Sequence, residues 1–149
     1  RTKMKRYWYK FRVKYGKAFD TGKNKKVSEE YLVDAESFTE TEKRATKAAT
    51  ELIGTRDFDI TAISREPITE ILKEDENEGN HWYKTVVTLV TEDEDTGVKK
   101  FSPQTIYVNA PSTKEADRML HQHMSSSVTE WEIKSIAETK VLGVLGYKQ

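Results

Sequence analysis

The chain lacks cysteine altogether, and it has only three prolines and seven glycines among 149 residues. The lack of cysteine excludes disulfide scaffolds, thiol nucleophiles and cysteine-ligated zinc. Its longest apolar runs have a few residues, well short of the ~20 that a membrane-spanning helix needs, and no secretory signal is visible. We therefore expect no membrane partner and a cytoplasmic location, while an aromatic share of 10% indicates a folded chain.

Opposite charges separate along a chain whose formal net charge is zero. Residues 1–27 hold eleven basic residues and one acid, Asp20, so this segment carries +10 and the remainder −10. Acidic residues cluster at 74–78 and again at 92–95. This separation indicates either an anionic partner for the basic segment or head-to-tail self-association.

An ordered series of sequence matches recurs at an offset of 73 to 75 residues. Trp8-Tyr9-Lys10 returns as Trp82-Tyr83-Lys84, and Asp20-Thr21-Gly22 returns as Asp95-Thr96-Gly97. Such periodicity predicts an internal duplication. We interpret residues 1–149 as a single domain made of two repeats, about 5–72 and 81–146, joined by an acidic loop at 73–80.

Each repeat has the pattern of two strands, a helix and a third strand. In the first repeat, apolar residues alternate from Tyr7 to Tyr15, and the Asp-Thr-Gly triplet predicts a turn. The pattern Ser37-x-x-Glu40 predicts a helix start, and Gly54 predicts its end. The expected fold is therefore α+β, a duplicated ββαβ unit with pseudo-two-fold symmetry, in which antiparallel sheets and two helices share one core.

Pro67 leaves one alternative open, because proline cannot donate to a strand ladder. The first interpretation is a bent third strand that continues past Pro67 to Leu72, with Trp131–Val144 as its counterpart. If the segments on either side of Pro67 are instead two strands, the boundaries can be redrawn as ββββα, which is similar to the PUR/Whirly architecture.

Several segments together resemble a known family. They are Tyr31-Leu32-Val33-Asp34-Ala35, residues 58–63, Trp82-Tyr83-Lys84 and residues 132–139. Their combination is similar to DUF4494, a family of unknown function from gut Bacteroidetes and their tailed phages. The resemblance implies a phage or mobile-element origin, in an infected or carrier bacterial host, and it implies no assigned chemistry.

No pattern in the chain favours catalysis. Neither a Gly-x-Ser-x-Gly elbow nor a phosphate-binding Gly-x-x-x-x-Gly-Lys loop is present. His121 and His123 are two residues apart, so they point to different sides of a helix and lack zinc-ligand spacing. We therefore expect a protein that is not an enzyme and that has no metal or cofactor.

Aromatic and basic side chains alternate on one face of the first predicted strand. Aromatic rings stack on unpaired bases while cations follow the phosphates, which is how sequence-tolerant proteins bind single strands. This pattern predicts a protein that binds single-stranded DNA or RNA and, together with the origin that the resemblance implies, a non-enzymatic phage or mobile-element accessory protein. The predicted contact residues are Trp8, Lys10, Arg12, Lys14, Lys23, Lys25, Lys26, Trp82, Lys84, Lys99 and Lys100.

Two other functions remain open. The apolar face around Trp82 also fits a protein-interaction factor, such as a phage accessory protein or a host-defence inhibitor, or a homo-oligomer contact. The second of these functions is the binding of small anionic ligands such as nucleotides, which requires an enclosed pocket. Single-strand binding instead requires that Trp8 and Trp82 be exposed.

Overall fold

The structure is a computed structural model that describes residues 6–18, 22, 24–54, 57–74 and 80–146. Within them it contains eight strands and two helices. In chain order they are β1 (Tyr7–Ala18), β2 (Asn24–Ala35), α1 (Phe38–Ile53), β3 (Phe58–Glu66), β4 (Glu70–Lys73), β5 (His81–Glu92), β6 (Lys99–Ala110), α2 (Thr113–Met124), β7 (Glu130–Glu138) and β8 (Val141–Leu145). The chain divides into two compact units, unit 1 (Arg1–Pro67 with Lys140–Gln149) and unit 2 (Ile68–Thr139).

Unit 1 is a four-stranded sheet with the order β3-β1-β2-β8. β1 forms an antiparallel hairpin with β2 and a second antiparallel pair with β3, whereas β2 and β8 run parallel. The α+β class is confirmed. Three of its strands are antiparallel as expected, and β8 makes the sheet mixed because it runs parallel to β2.

Unit 2 is built in the same way, with the strand order β4-β6-β5-β7. β5 pairs antiparallel with β6 and β7, and β6 pairs parallel with β4. A register shift lies between Arg12 and Val13 in the β1–β3 pair and between Val86 and Val87 in the β5–β7 pair. These positions are 74 residues apart, which is compatible with the predicted duplication.

Two short strands, β4 and β8, which we call the exchanged strands, each join a sheet whose other strands come from the other predicted repeat. After β3 the chain passes Pro67, and β4 then joins the sheet of unit 2; after β7 it passes Thr139, and β8 joins the sheet of unit 1. The single strands predicted through Pro67 to Leu72 and from Trp131 to Val144 are therefore wrong. Because each sheet contains strands from both halves of the sequence, neither the ββαβ nor the ββββα grouping describes a complete sheet.

Each unit has its own hydrophobic cluster between its sheet and its helix. In unit 1 the cluster includes Phe11, Val33 and Ala45, and Leu145 of β8 packs against it. In unit 2 it includes Val87 and Leu120, and Leu72 of β4 packs against it. Each of the two clusters is thus completed by a residue from an exchanged strand.

The helix ends follow the predicted signals. Ser37 Oγ accepts a hydrogen bond from the Glu40 backbone N–H at 3.1 Å, and Ser112 Oγ accepts one from the Glu115 N–H at 3.2 Å. Gly54 ends α1 with φ of 76°, a left-handed conformation that glycine adopts without steric cost. The predicted cap at Ser37 and the predicted stop at Gly54 are confirmed, and Ser112 caps α2 in the same way.

Candidate nucleic-acid interface

The two faces of β1 differ as the alternation predicts. Tyr9, Phe11 and Val13 are buried in the cluster under α1, on what we call the helix-side face of the sheet. Trp8, Lys10, Arg12 and Lys14 lie on the opposite face because successive side chains of a strand point to opposite sides. Trp8 is half-buried, whereas Arg12 and Lys14 are exposed.

Two of these cations are paired with carboxylates from neighbouring strands. Lys10 Nζ lies 3.8 Å from Glu30 Oε1 and 3.5 Å from Glu66 Oε1. Arg12 Nη2 lies 3.1 Å from Glu30 Oε2. The two acids match the two bases in charge, so the middle of the predicted basic face is electrically neutral.

The unpaired basic charge of β1 and β2 lies at the turn end of their hairpin, among the residues that the structure describes. We call Lys14, Lys17, Lys25 and Lys26 the basic hairpin end. All four residues are exposed, and none has a carboxylate within 4.0 Å among the residues that the structure describes. Lys23, which was also predicted to contribute, lies outside the described residues.

The basic hairpin end carries cations on both faces of a two-stranded ribbon. Lys17 lies directly opposite Lys25 on the helix-side face, while Lys14 and Lys26 lie on the other face. β3 pairs with β1 only as far as Tyr15, so the ribbon extends beyond it. Like charges directly opposite one another destabilise a strand pair. The Lys17–Lys25 pair therefore costs stability that an anionic partner would offset.

The nearest acid on the helix-side face of β2 is held by tyrosines instead of lysines. Glu29 accepts hydrogen bonds from the Tyr15 hydroxyl at 2.8 Å and from the Tyr31 hydroxyl at 2.9 Å. Burial, reinforced by this hydrogen bond, raises the pKa of Tyr31 well above its ordinary value. The hydrogen bond to Glu29, reinforced by burial, raises the pKa of Tyr15 as well. Glu29 is thus held by the two tyrosines, and its carboxylate lies within 4.0 Å of none of the four lysines of the basic hairpin end.

The second repeat does not form an equivalent platform. Trp82 is only 5% exposed, and its carbonyl accepts hydrogen bonds from the N–H and hydroxyl of Thr139. The requirement that Trp82 be exposed is therefore not met. Lys84, Lys99 and Lys100 are exposed, but Lys99 lies opposite Glu92, eight residues along β5 from Lys84. The structure does not bring these three lysines together.

The turn end of the β5–β6 hairpin is acidic and partly apolar. Asp93 Oδ1 accepts hydrogen bonds from the N–H groups of Asp95 and Thr96, which lower the pKa of Asp93. Gly97 has φ of 73° in this turn, as its place in the repeated Asp-Thr-Gly triplet predicts. Phe101, opposite Val90, is 59% exposed, and Val98 is 64% exposed.

Lys17 belongs to the basic hairpin end although the sequence-based prediction omitted it. The alternation places Lys17 on the helix-side face, and this face was expected to be covered. The hairpin is long enough that this end lies beyond the part packed on α1, so Lys17 is exposed. The signal for this in the sequence was that the alternation of β1 continues farther than the predicted helix can cover.

Within the described ranges, no group of three or more histidine, aspartate or glutamate side chains is arranged to hold a metal ion. The histidines instead form separate acid contacts, His81 with Glu138 and His123 with Glu70. Neither helix in the described part of the chain is long and apolar enough to cross a membrane.

Comparison with known proteins gives one result. No curated protein and no solved structure matches the chain significantly. Residues 7–147, however, match the family described as "Domain of unknown function (DUF4494)". Because this match covers nearly the whole sequence, the protein belongs to the DUF4494 family.

Proposed function

We propose that the protein binds single-stranded nucleic acid through the basic hairpin end and catalyses no reaction. The observation that carries this proposal is the exposure of four lysines at one end of a hairpin with no carboxylate partner among the described residues. Such a group neutralises phosphates and releases their counterions, which is the main source of sequence-independent affinity for nucleic acid.

The arrangement of the lysines supports a flexible single strand as the partner. Lys17 and Lys25 lie on one face of the ribbon and Lys14 and Lys26 on the other. A single strand can wrap around the ribbon and bring successive phosphates to both faces. Trp8 lies on the same face as Lys14, six residues away or roughly 20 Å along the strand, so one base can stack on its half-buried ring.

This proposal assigns different weights to the residues that the sequence predicted. Phosphate contacts come first, from Lys14, Lys25 and Lys26 together with Lys17. Stacking on Trp8 comes second, because the neutral cluster of Lys10, Arg12 and their acids separates that ring from the unpaired lysines. Trp82 has no stacking role because it is buried.

A titration of fluorescently labelled oligo-dT, followed by anisotropy at low salt, tests the proposal. Lys17→Glu/Lys25→Glu should weaken binding by about tenfold or more, since it removes two of four phosphate contacts and adds repulsion. Lys43→Glu/Lys114→Glu is the matched control, because both residues are exposed on helices and the change in net charge is the same. The control should bind like the unmodified protein.

Two results would refute the proposal. The first is the absence of binding to oligo-dT at low salt by the unmodified protein, which would refute nucleic-acid binding as such. The second is tighter binding to a duplex with the same number of phosphates. In that case the ribbon would act in a groove, since a two-stranded ribbon fits the major groove of B-DNA, and the single-strand assignment would be wrong.

The alternative of a small anionic ligand has less support. A cavity of about 690 Å³ lies between α1 and β3 of unit 1. Its lining includes the acids Glu42, Glu51 and Asp59 but only one base, Lys47. Three carboxylates around one ammonium group repel an anion, so this cavity does not suit a nucleotide.

The biological setting is part of the proposal. The family resemblance implies a phage or mobile-element origin, and we propose an accessory protein that acts in the cytoplasm of an infected or carrier bacterium. A non-enzymatic binder of single strands is the accessory role that we propose in this setting. The second candidate, a protein-interaction factor, is favoured by the exposure of Val98 and Phe101 on the other hairpin.

A further inference from the structure

We propose that copies of this chain associate head to tail, with the β5–β6 hairpin end of one copy docked on the basic hairpin end of the next. The inference concerns the regulation of the same lysines and so rests in part on the proposed function. A lysine that contacts a second copy cannot also contact a phosphate. Self-association and nucleic-acid binding therefore exclude one another.

One of the two docking surfaces is the turn end of the β5–β6 hairpin, which has both apolar and acidic character. Phe101 and Val98 are among the most exposed large apolar side chains that the structure describes. They flank an acidic turn formed by residues 92–95, all of them exposed. In the described part of the chain, none of these four carboxylates lies within 4.0 Å of a basic group, so their charge is available to a partner.

The opposing surface is the basic hairpin end, which presents four ammonium groups without acidic partners among the described residues. The two hairpins are built alike, twelve residues per strand, but their described ends carry opposite net charge, because Lys99 and Lys100 offset only part of the acidic charge of residues 92–95. Complementary charge guides two such ends together, and the Lys17–Lys25 repulsion is relieved when carboxylates approach. The aliphatic stems of the lysines can cover the exposed ring of Phe101.

The geometry of this contact determines the kind of assembly. The two surfaces are different, so a pair of copies still has one free acidic end on one copy and one free basic end on the other. Such a heterologous contact produces rings or open chains of copies, in contrast to a closed two-fold dimer. The assembly should therefore grow with protein concentration and shrink as salt screens the charges.

Sedimentation velocity over a range of concentrations at low and high salt tests the inference. Lys17→Glu/Lys25→Glu and Glu94→Lys/Asp95→Lys should each weaken association by roughly 100-fold, because each variant opposes like charges. An equimolar mixture of the two variants should associate again, since each restores a complementary end for the other. Glu42→Lys/Glu51→Lys, with the same charge change on the exposed face of α1, should associate like the unmodified protein.

A second variant separates the apolar contribution from the charge. Phe101→Ser should weaken association while leaving the salt dependence in place, because all the charges remain. A monomer at every concentration, or two charge variants that fail to associate when mixed, would overturn the inference.

The failure of this inference can be distinguished from the failure of the proposed function. Glu94→Lys/Asp95→Lys keeps the basic hairpin end intact, so it should be monomeric and bind oligo-dT at least as tightly as the unmodified protein. Oligo-dT binding without any self-association would overturn only the head-to-tail contact. Self-association without oligo-dT binding would overturn the nucleic-acid proposal, and with it the mutual exclusion, but not the head-to-tail contact.

Discussion

Leu145→Ala should destabilise unit 1 although residue 145 follows the whole of unit 2 in the sequence. Leu145 lies on β8, pairs in register with Val33 and packs half-buried against the hydrophobic cluster of unit 1. The change removes three carbons, each contributing about 0.8 kcal/mol when fully buried. A half-buried side chain loses about half of this sum, and the cavity left behind adds to the loss. We therefore expect a decrease of about 1.5 kcal/mol in the free energy of unfolding of unit 1.

Amide hydrogen exchange measures this loss unit by unit. A decrease of about 1.4 kcal/mol corresponds to roughly tenfold faster exchange through global opening, so amides of β1, β2 and β3 should lose protection by about this factor. Amides of β5, β6 and β7 should keep theirs. Leu142→Ala, on the same strand but 59% exposed, is the control and should change neither set. Faster exchange in unit 2 alone would refute the assignment of β8 to the sheet of unit 1.

Three further outcomes follow from the structure. Ser37→Ala should lower the stability of unit 1 by about 1 kcal/mol in denaturant unfolding, because the helix loses its capping hydroxyl; an unchanged midpoint would contradict this. The raised pKa of Tyr31, caused by burial and by Glu29, means that its stabilisation is complete below the ordinary tyrosine pKa of about 10 and is lost as the pH rises through the higher folded value. Unfolding at increasing alkaline pH should show this decline, and Tyr31→Phe should reduce it. Finally, four phosphate contacts give a slope of about −2.8 for log K against log salt, and Lys17→Ala/Lys25→Ala should halve it; an equal slope would show that these lysines do not contact phosphate.

Local patterns identified much of the fold. The alternation through Tyr9, Phe11 and Val13 specified β1 and its buried face, because burial on one side of a strand has a period of two. Ser37 and Gly54 marked the ends of α1 because helix termini require particular hydrogen-bond partners and backbone angles. Such features depend on a few neighbouring residues, which the sequence displays directly.

The exchanged strands depended on information that local patterns do not contain. Pro67 indicated an interruption, and the alternative that the segments on either side of it are two separate strands is confirmed. The sheet that a short edge strand joins is decided by long-range packing, here by Leu72 in unit 2 and Leu145 in unit 1. A segment of four or five residues carries too little pattern to specify a distant partner.

The candidate interface was predicted only in part for a similar reason. Alternation correctly separated Trp8 and Lys10 from the buried face of β1. It could not show that Glu30 and Glu66, on two other strands, pair with Lys10, because that contact depends on strand register. The burial of Trp82 likewise depends on contacts beyond its own strand.

The binding of single-stranded nucleic acid by the basic hairpin end is the central claim, and an NMR titration tests it most directly. Backbone amide shifts of the isotope-labelled protein would be followed as unlabelled oligo-dT is added at low salt. We predict saturable shifts concentrated at residues 14–17 and 25–28, which reverse when salt is raised. Shifts confined to other residues, or none at any oligonucleotide concentration, would contradict the account.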